Sequence, residues 1–412
     1  MGQNWAKRRK TIFTSIVKQP PPKKLPAQAA SLSAAMAEEN PSVRKFQALV
    51  QMNTLYSSAP LTRNNVITVF TKGRLKFDAL VECIREAKEH VHLLYYKMGS
   101  DALGQEIIRA LIAKAEQGVS VRLIYDDVGT PRSSNRLFNE LRQAGGEVSP
   151  YFPSRIHFLN LKVNFRNHRK IAVIDGKIGF IGGFNVGEEY VGLSPKIGNW
   201  RDTHLMISGN AVYSLQAQFL QDWKVCSRQN ISSDPAFYPK VEAEGRAAVQ
   251  IVSSGPDVEE QHIKDSFIKI FFEARESILL QSPYFLPDDS LINALKIAAL
   301  SGVEVKVMIP RKGNHFIVQW ASYAYLGELL RAGVKCYLYN DGFLHAKTIV
   351  VDGQAASVGT ANMDPRSFRL NFEINAFVYD AGVASQLEAA FVKDVRSSSF
   401  TPTWIITSGR CC

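Results

Sequence analysis

From Val66 onward the apolar residues alternate between two kinds of spacing. Repeats of three or four predict helices over 77–90 and 101–117, the second ended by Gly118, while the stretches 91–96 and 119–125, rich in β-branched, aromatic and other apolar residues, read as strands. The C-terminal part repeats this as helix 266–276, strand 277–282, helix 288–301 stopped by Gly302, and strand 303–309. Ala87/Ala274 and Asp101/Asp288 are 187 residues apart and Gly118/Gly302 184 apart, so one α/β unit occurs twice with small insertions or deletions. A polar run at 242–246 leads into an apolar strand at 249–252 and places a boundary near residue 245. The expected divisions are a tail 1–40, halves 41–245 and 246–400, and a tail 401–412.

After each α/β unit comes a second repetition, which carries chemistry. His168-Arg169-Lys170 is followed by an apolar run and Asp175-Gly176, and His345-Ala346-Lys347 by another apolar run and Asp352-Gly353, both of the form H-x-K-x4-D-G. Gly182/Gly359 and Asn185/Asn362 extend the match at the same spacing of 177. An apolar run, Asp-Gly and a second apolar run signal a β-hairpin. Side chains at i and i+2 of a strand share a face, so each His is expected beside its Lys. A two-residue turn would set His168 opposite Gly183 and His345 opposite Thr360, leaving room for a substrate, with Asn185 and Asn362 two residues further on to donate to an oxyanion. One such motif alone is ordinarily a solvated edge; two with six matched positions are a different matter. The candidate catalytic set is His168, Lys170, His345 and Lys347, with Asp175 and Asp352 counted beside them, although Asp before Gly is what the turn itself favours. Trp200-Arg201-Asp202-Thr203-His204 further aligns with Asn371-Phe372-Glu373-Ile374-Asn375. Each half thus brings an acid, Asp202 or Glu373, to accept from an imidazole nitrogen and orient the ring.

Composition narrows the partners. The 412 residues are 46% hydrophobic, ample for sizeable cores in two or three domains. The formal charge of +11 suggests nucleic acid until it is located. Lys7, Arg8, Arg9, Lys10, Lys18, Lys23 and Lys24 precede the first acid, Glu38, and the rest of the chain is close to balance. Basic residues interleaved with Trp5, Ile12, Phe13, Ile16 and Val17 suit a short helix on an anionic membrane surface, or a disordered tail. Nucleic acid is not the expected partner. Cys83, Cys226, Cys336, Cys411 and Cys412 form no C-x-x-C pair and show no metal-ligand spacing with His, so a reduced chain without a bound metal or cofactor is expected. The terminal Cys411-Cys412 reads as a tail end or as a lipidation site. No apolar run reaches transmembrane length, and no signal peptide is visible.

The paired H-x-K-x4-D motifs resemble the phospholipase D superfamily. Within it, residues 63–400 are similar to bacterial cardiolipin synthases through Asp126-Asp127-Val128-Gly129, the stretch 181–187, Trp200 to His204, the stretch 282–288, Gly342 to Lys347, and residues 359–368 with Asn371-Phe372-Glu373. The resemblance implies two pseudo-symmetric α-β-α sandwich halves, an α/β fold with one active site at their interface. It implies two-step phosphatidyl transfer between two phosphatidylglycerol molecules, giving cardiolipin and glycerol through a phosphohistidine, with His168 favoured as nucleophile. Lys170, Lys347, Asn185 and Asn362 would hold the phosphate oxygens. Hydrolysis to phosphatidic acid, a nuclease-type phosphodiesterase, and a non-catalytic lipid-binding protein are the rival readings. The expected location is the bacterial cell membrane, with peripheral attachment. Members of the branch usually start with two membrane-spanning helices, whereas this chain opens on a basic segment and stops soon after Trp404. Both departures bear on membrane attachment rather than on chemistry.

Overall fold

The computed structural model describes residues 40–153, 164–240, 244–313 and 316–400. The basic segment and the C-terminal cysteines, with the expectations built on them, lie outside the described residues. Two short helices come first, α1 (Pro41–Lys45) and α2 (Gln47–Tyr56). The first half then runs β1 (Thr62–Phe70), α3 (Gly73–Glu86), β2 (His90–Tyr95), α4 (Ala102–Glu116), β3 (Ser120–Asp126), α5 (Asn135–Gln143), β4 (Glu147–Tyr151), β5 (Ile171–Ile174), β6 (Ile178–Gly182), β7 (His204–Ser208) and α6 (Val212–Ser227). The second repeats the order as β8 (Ala247–Ser254), α7 (His262–Glu273), β9 (Ser277–Gln281), α8 (Asp289–Leu300), β10 (Glu304–Pro310), α9 (Phe316–Arg331), β11 (Lys335–Tyr339), β12 (Thr348–Val351), β13 (Ala355–Gly359), α10 (Pro365–Arg369), β14 (Asn371–Tyr379) and α11 (Ala381–Arg396), followed by β15 (Ser398–Phe400).

The repeated units start and stop for the same local reasons. Asp101 caps α4 by accepting from the Gly104 N–H, and Asp288 caps α8 by accepting from that of Leu291. Gly118 (φ +84°) and Gly302 (φ +94°) then take the left-handed conformation that ends each helix. β2, β3 and β4 are parallel, as are β9, β10 and β11, and β2 is buried along its whole length. Burial on both faces is why β2 shows no alternation of buried and exposed positions.

Among the described residues one sixteen-stranded sheet carries both halves: fifteen strands in the order β15-β11-β10-β9-β12-β13-β14-β8-β1-β7-β6-β5-β2-β3-β4, and the short strand Arg166–Asn167 paired to β14 off this path. Read inward from β4 and from β11, the two sequences of strands are equivalent and meet at the antiparallel β1–β8 pair. The halves are therefore related by a pseudo-twofold axis. One apolar core lies under α3, α4 and α5, a second under α2, α7, α8 and α9, and a third unites Ile171, Leu205 and Trp223 with Val350, Val378 and Phe391 of the other half. Val43, Phe46, Leu49 and Val50 of α1–α2 are buried in the second of these cores. In space residues 41–56 accompany the second half, although in sequence they precede the first.

Each predicted hairpin is present, with its register one residue away from expectation. Asp175 and Gly176 both have positive φ, as do Asp352 and Gly353, but Ile174 pairs with Ile178 and Val351 with Ala355. The loop therefore spans three residues, and His168 does not fall opposite Gly183 nor His345 opposite Thr360. Gly183 instead lies against the Asp202 carboxylate, where a Cβ would collide, and the Thr360 hydroxyl contacts Glu373. The two turn aspartates bind backbone. Asp175 accepts from the N–H groups of Lys88, Glu89 and His90 at 2.8–2.9 Å, and Asp352 from those of Arg275, Glu276 and Ser277 at 2.8–2.9 Å. Asp175→Ala is expected to lower stability by about 3 kcal/mol in urea denaturation, because three donors lose a charged acceptor. An unchanged midpoint with lost turnover would return Asp175 to the catalytic set.

Candidate active site

The site is built by exchange between the halves. Arg166–Asn167 pairs in parallel with Asn371–Phe372 at the start of β14, and Phe343–Leu344 pairs in parallel with Trp200–Arg201. The histidine that follows continues each ladder: the His168 N–H donates to Phe372 O (2.9 Å), and the His345 N–H to Arg201 O (2.7 Å). The segment leading to each imidazole is thus zipped to the segment leading to the other half's acid. As a result His168 Nδ1 lies 2.9 Å from Glu373 Oε2, and His345 Nδ1 lies 2.6 Å from Asp202 Oδ2. Both carboxylates are fully buried. With the Nδ1 proton held there, Nε2 is the nitrogen left for a substrate.

The lysines reach their histidines by another route than a shared strand face. β5 and β12 begin only at Ile171 and Thr348, so both H-x-K segments are irregular. Lys170 Nζ folds back onto His168 O (2.6 Å) and Lys347 Nζ onto His345 O (2.5 Å), the latter also 3.0 Å from His345 Nδ1. The asparagines are buried but not equivalent: Asn185 accepts from the Lys97 N–H and donates to the Tyr190 hydroxyl, while Asn362 Oδ1 has no partner among the described residues. The structure thus gathers His168, Lys170, His345, Lys347, Asp202 and Glu373, and leaves Asp175 and Asp352 at the far end of their hairpins.

Several supporting residues escaped the sequence reading. Arg169, between the first His and Lys, bonds both carboxylate oxygens of Asp222 on α6 (2.7 and 2.9 Å) and donates from Nε to Glu373 O (3.3 Å). Arg201 does the same across the axis, bonding Asp394 on α11 (2.8 and 3.1 Å) and donating to Asp202 O (2.6 Å). Each of the two acids, Glu373 and Asp202, is thereby fixed through its own carbonyl by a buried arginine. Asp126 holds the approach to His168 by accepting from the N–H groups of Asn167, Val128 and Gly129. Asn371 Nδ2 donates to Glu373 Oε1 at 3.0 Å, and the Thr203 N–H to Asp202 Oδ1 at 2.7 Å. The only available signal was the recurrence of an acid, Asp222 or Asp394, on the helix after each motif.

Burial dominates the electrostatics. It pushes the His345 imidazole down to about 3, with Lys347 adding to the fall and Asp202 opposing it. His168 is lowered by burial too, against the pull of Glu373. The ammonium of Lys170 is pushed to about 7 and that of Lys347 to about 8, in both cases chiefly by burial. Burial would raise Asp202 and Glu373, but Lys347 with His345, and His168 with Lys170, outweigh it and keep both below the ordinary carboxylate range. The resting site therefore offers neutral imidazoles, ionised carboxylates and lysines poised near neutrality, an arrangement that takes up an anion. Among the described residues no three His, Cys, Asp or Glu are grouped to hold a metal.

The family described as cardiolipin synthase, PLD-like domain, matches residues 80–223 and 267–395, once in each half. The chain belongs to this family. A cardiolipin synthase of Listeria welshimeri is 49% identical over 362 residues, which are 87% of this chain and 75% of that protein. The major cardiolipin synthase of Bacillus subtilis is 48% identical over 366 residues, 87% of this chain and 76% of that one. Among solved structures, a phosphatidylserine synthase of Haemophilus influenzae superimposes with a TM-score of 0.65 at 17% identity, over 88% of this chain and 92% of its own. A polyphosphate kinase of Porphyromonas gingivalis gives 0.56 at 16% identity, over 83% and 49%. These two share the fold. The family membership and the two-halved α/β fold expected from the paired motifs are both borne out.

Activity should follow the lysines at high pH and spare the histidines at low pH. For an anionic phosphodiester substrate, kcat/KM is expected to fall as pH rises through about 7 to 8, where Lys170 and then Lys347 lose their charge. On the acid side it should persist below the ordinary histidine range, since both imidazoles stay neutral there. A pH–rate profile with an acid limb near 6.5 and no alkaline limb would contradict this assignment.

Proposed function

We propose that the chain is a cardiolipin synthase that moves a phosphatidyl group from one phosphatidylglycerol to another through a phosphohistidine. The observation that carries this reading is the crosswise pairing of two buried imidazoles with two buried carboxylates, each with a lysine alongside, in a chain of this family. One imidazole attacks phosphorus through Nε2 and the P–O bond to the headgroup breaks. The other imidazole, which takes up a proton at Nε2 as the anionic phosphodiester binds beside it, gives that proton to the departing glycerol oxygen. The same second imidazole then takes the proton from the incoming alcohol as its oxygen replaces nitrogen on phosphorus. Lys170 and Lys347 hold the non-bridging oxygens, joined by the Asn362 amide as a donor, and their attraction grows with the charge of the transition state. Binding the phosphodiester also restores full protonation of the lysines, which burial alone weakens.

This chemistry requires both motifs at once. His168→Ala and His345→Ala are each expected to reduce turnover at least about a thousandfold with the melting transition retained, because each imidazole serves both steps. Lipid products from phosphatidylglycerol vesicles decide the acceptor: cardiolipin that added glycerol converts back supports transfer, and phosphatidic acid alone means that water is the acceptor. Substantial turnover in either single variant would end the one-site mechanism.

No helix among the described residues is long and apolar enough to cross a membrane. The substrate is nonetheless a membrane lipid, and the basic, Trp- and Phe-containing segment at 1–24 is assigned to the anionic surface of the bacterial cell membrane. Removing residues 1–39 should weaken binding to anionic vesicles at least about tenfold in co-sedimentation, given roughly 1 kcal/mol per basic residue near such a surface. Undiminished binding would place the contact elsewhere on the protein.

A further inference from the structure

The pseudo-twofold axis equates the two half-sites in position but not in chemistry. The spacing that equates His168 with His345 also equates Arg166 with Phe343 and Arg366 with Glu189, and the spacing that equates Asp101 with Asp288 sets Tyr96 against Pro283. These equivalences hold in space: Val186 bridges Met98 as Met363 bridges Phe285, and the two-residue strands ending at the histidines pair alike. Beside His345 the wall is apolar, with Trp200 and Phe343 at ring distances of 5.0 and 6.0 Å, and Glu189 is neutralised by Lys97 at 2.8 Å. Beside His168 stands Tyr96, edge-on at 5.0 Å. The Arg166 guanidinium meets the Tyr96 hydroxyl, and Arg366 is anchored on the same segment, two residues before Arg166. Arg166 donates to Phe165 O and Arg366 to Asn164 O, and among the described residues neither is in an ion pair. Asp126, the acid that Arg166 feels, is already engaged by three backbone N–H groups.

We propose that Arg166 and Arg366 hold the phosphodiester of the acceptor lipid, in a second phosphate site beside the reacting one. The proposal rests on the reading that the acceptor is itself phosphatidylglycerol. Such an acceptor brings a second negative charge, joined to its attacking hydroxyl through the carbons of one glycerol. Lys170 and Lys347 are committed to the first phosphate. A guanidinium pair suits the second, since planar N–H donors match non-bridging phosphate oxygens. In the transfer itself the acceptor oxygen bonds to phosphorus, the P–N bond breaks with its electron pair returning to the imidazole, and the hydroxyl proton passes to the other imidazole. The arginines take no part in these bonds. They decide which alcohol is present to react: a lipid that carries a phosphate, over glycerol or water that carries none.

The test compares two acceptors in one reaction. Phosphatidylglycerol vesicles with radiolabelled glycerol in the water yield cardiolipin, from an acceptor with a phosphate, and labelled phosphatidylglycerol, from an acceptor without one. In the Arg166→Gln/Arg366→Gln double variant the ratio of cardiolipin to labelled phosphatidylglycerol is expected to fall about ten- to a hundredfold, the range of a lost charge-assisted contact. Arg166→Lys should regain part of it. Arg366 is exposed, so its single variant preserves the readout if the double variant does not fold. An unchanged ratio, whether both rates fall together or neither does, overturns the site. So does a ratio that moves only with added inorganic phosphate and is alike in variant and wild type without it, since that describes a free-ion site. Wild-type protein that labels phosphatidylglycerol yet forms no cardiolipin overturns the synthase reading instead.

Discussion

The chemistry of this protein depends on the two short parallel ladders that exchange partners between its halves. Arg166–Asn167 lies on Asn371–Phe372, Phe343–Leu344 lies on Trp200–Arg201, and each imidazole faces an acid from the opposite half. Neither half contains a complete site. A buried carboxylate without a cationic or hydrogen-bonding partner is costly, so Asp202 and Glu373 are compatible with burial only when the halves are closed on each other. The same closure brings both imidazoles and both lysines to one place. Formation of the site and assembly of the interface are therefore one event.

The rest of the architecture makes that closure rigid. The β1–β8 pair turns two α/β units into one continuous sheet, and the shared core between α6 and α11 clamps the sheet from one side. From those two helices Asp222 and Asp394 reach Arg169 and Arg201, which in turn hold the carbonyls of Glu373 and Asp202. These buried ion pairs carry several hydrogen bonds each. Their clearest contribution is geometric, since a hydrogen-bonded charge network allows few alternative arrangements. The acids consequently arrive at the imidazoles with main chain and side chain both fixed, which is the preorganisation that phosphoryl chemistry requires.

A duplicated fold suits a phosphodiester, whose two non-bridging oxygens are equivalent and whose attacking and departing groups lie on opposite sides of phosphorus. The inner ring of the site keeps that symmetry, with one His, one Lys and one acid on each side. The rim abandons it, because the two organic groups on phosphorus are not alike. Tyr96 with two arginines stands on one side, and Phe343 with Trp200 on the other. Symmetry at the centre suits the chemistry of phosphorus, and the asymmetric edge is where the proposed choice of acceptor is made.

Much of this was legible in the chain. Apolar spacing revealed the repeated α/β unit, the Asp101 and Asp288 caps marked the helix starts, and Asp-Gly marked both hairpins, because periodicity, capping and turn chemistry are local properties. The matched His, Lys and acid positions pointed to the candidate site because duplication repeats chemistry along with fold. Other features were not legible. The hairpin register differs by one residue, since it depends on how the strands pair and not on the Asp-Gly signal alone. The lysines reach their histidines through irregular backbone, and α1–α2 join the core of the second half across a long stretch of chain. Above all, the sequence determined that two histidines and two acids are present, and only the tertiary structure decided that Glu373 serves His168 and Asp202 serves His345. The reason is physical: which carboxylate meets which imidazole is set by where two halves close about an axis, and no spacing along one chain records that contact.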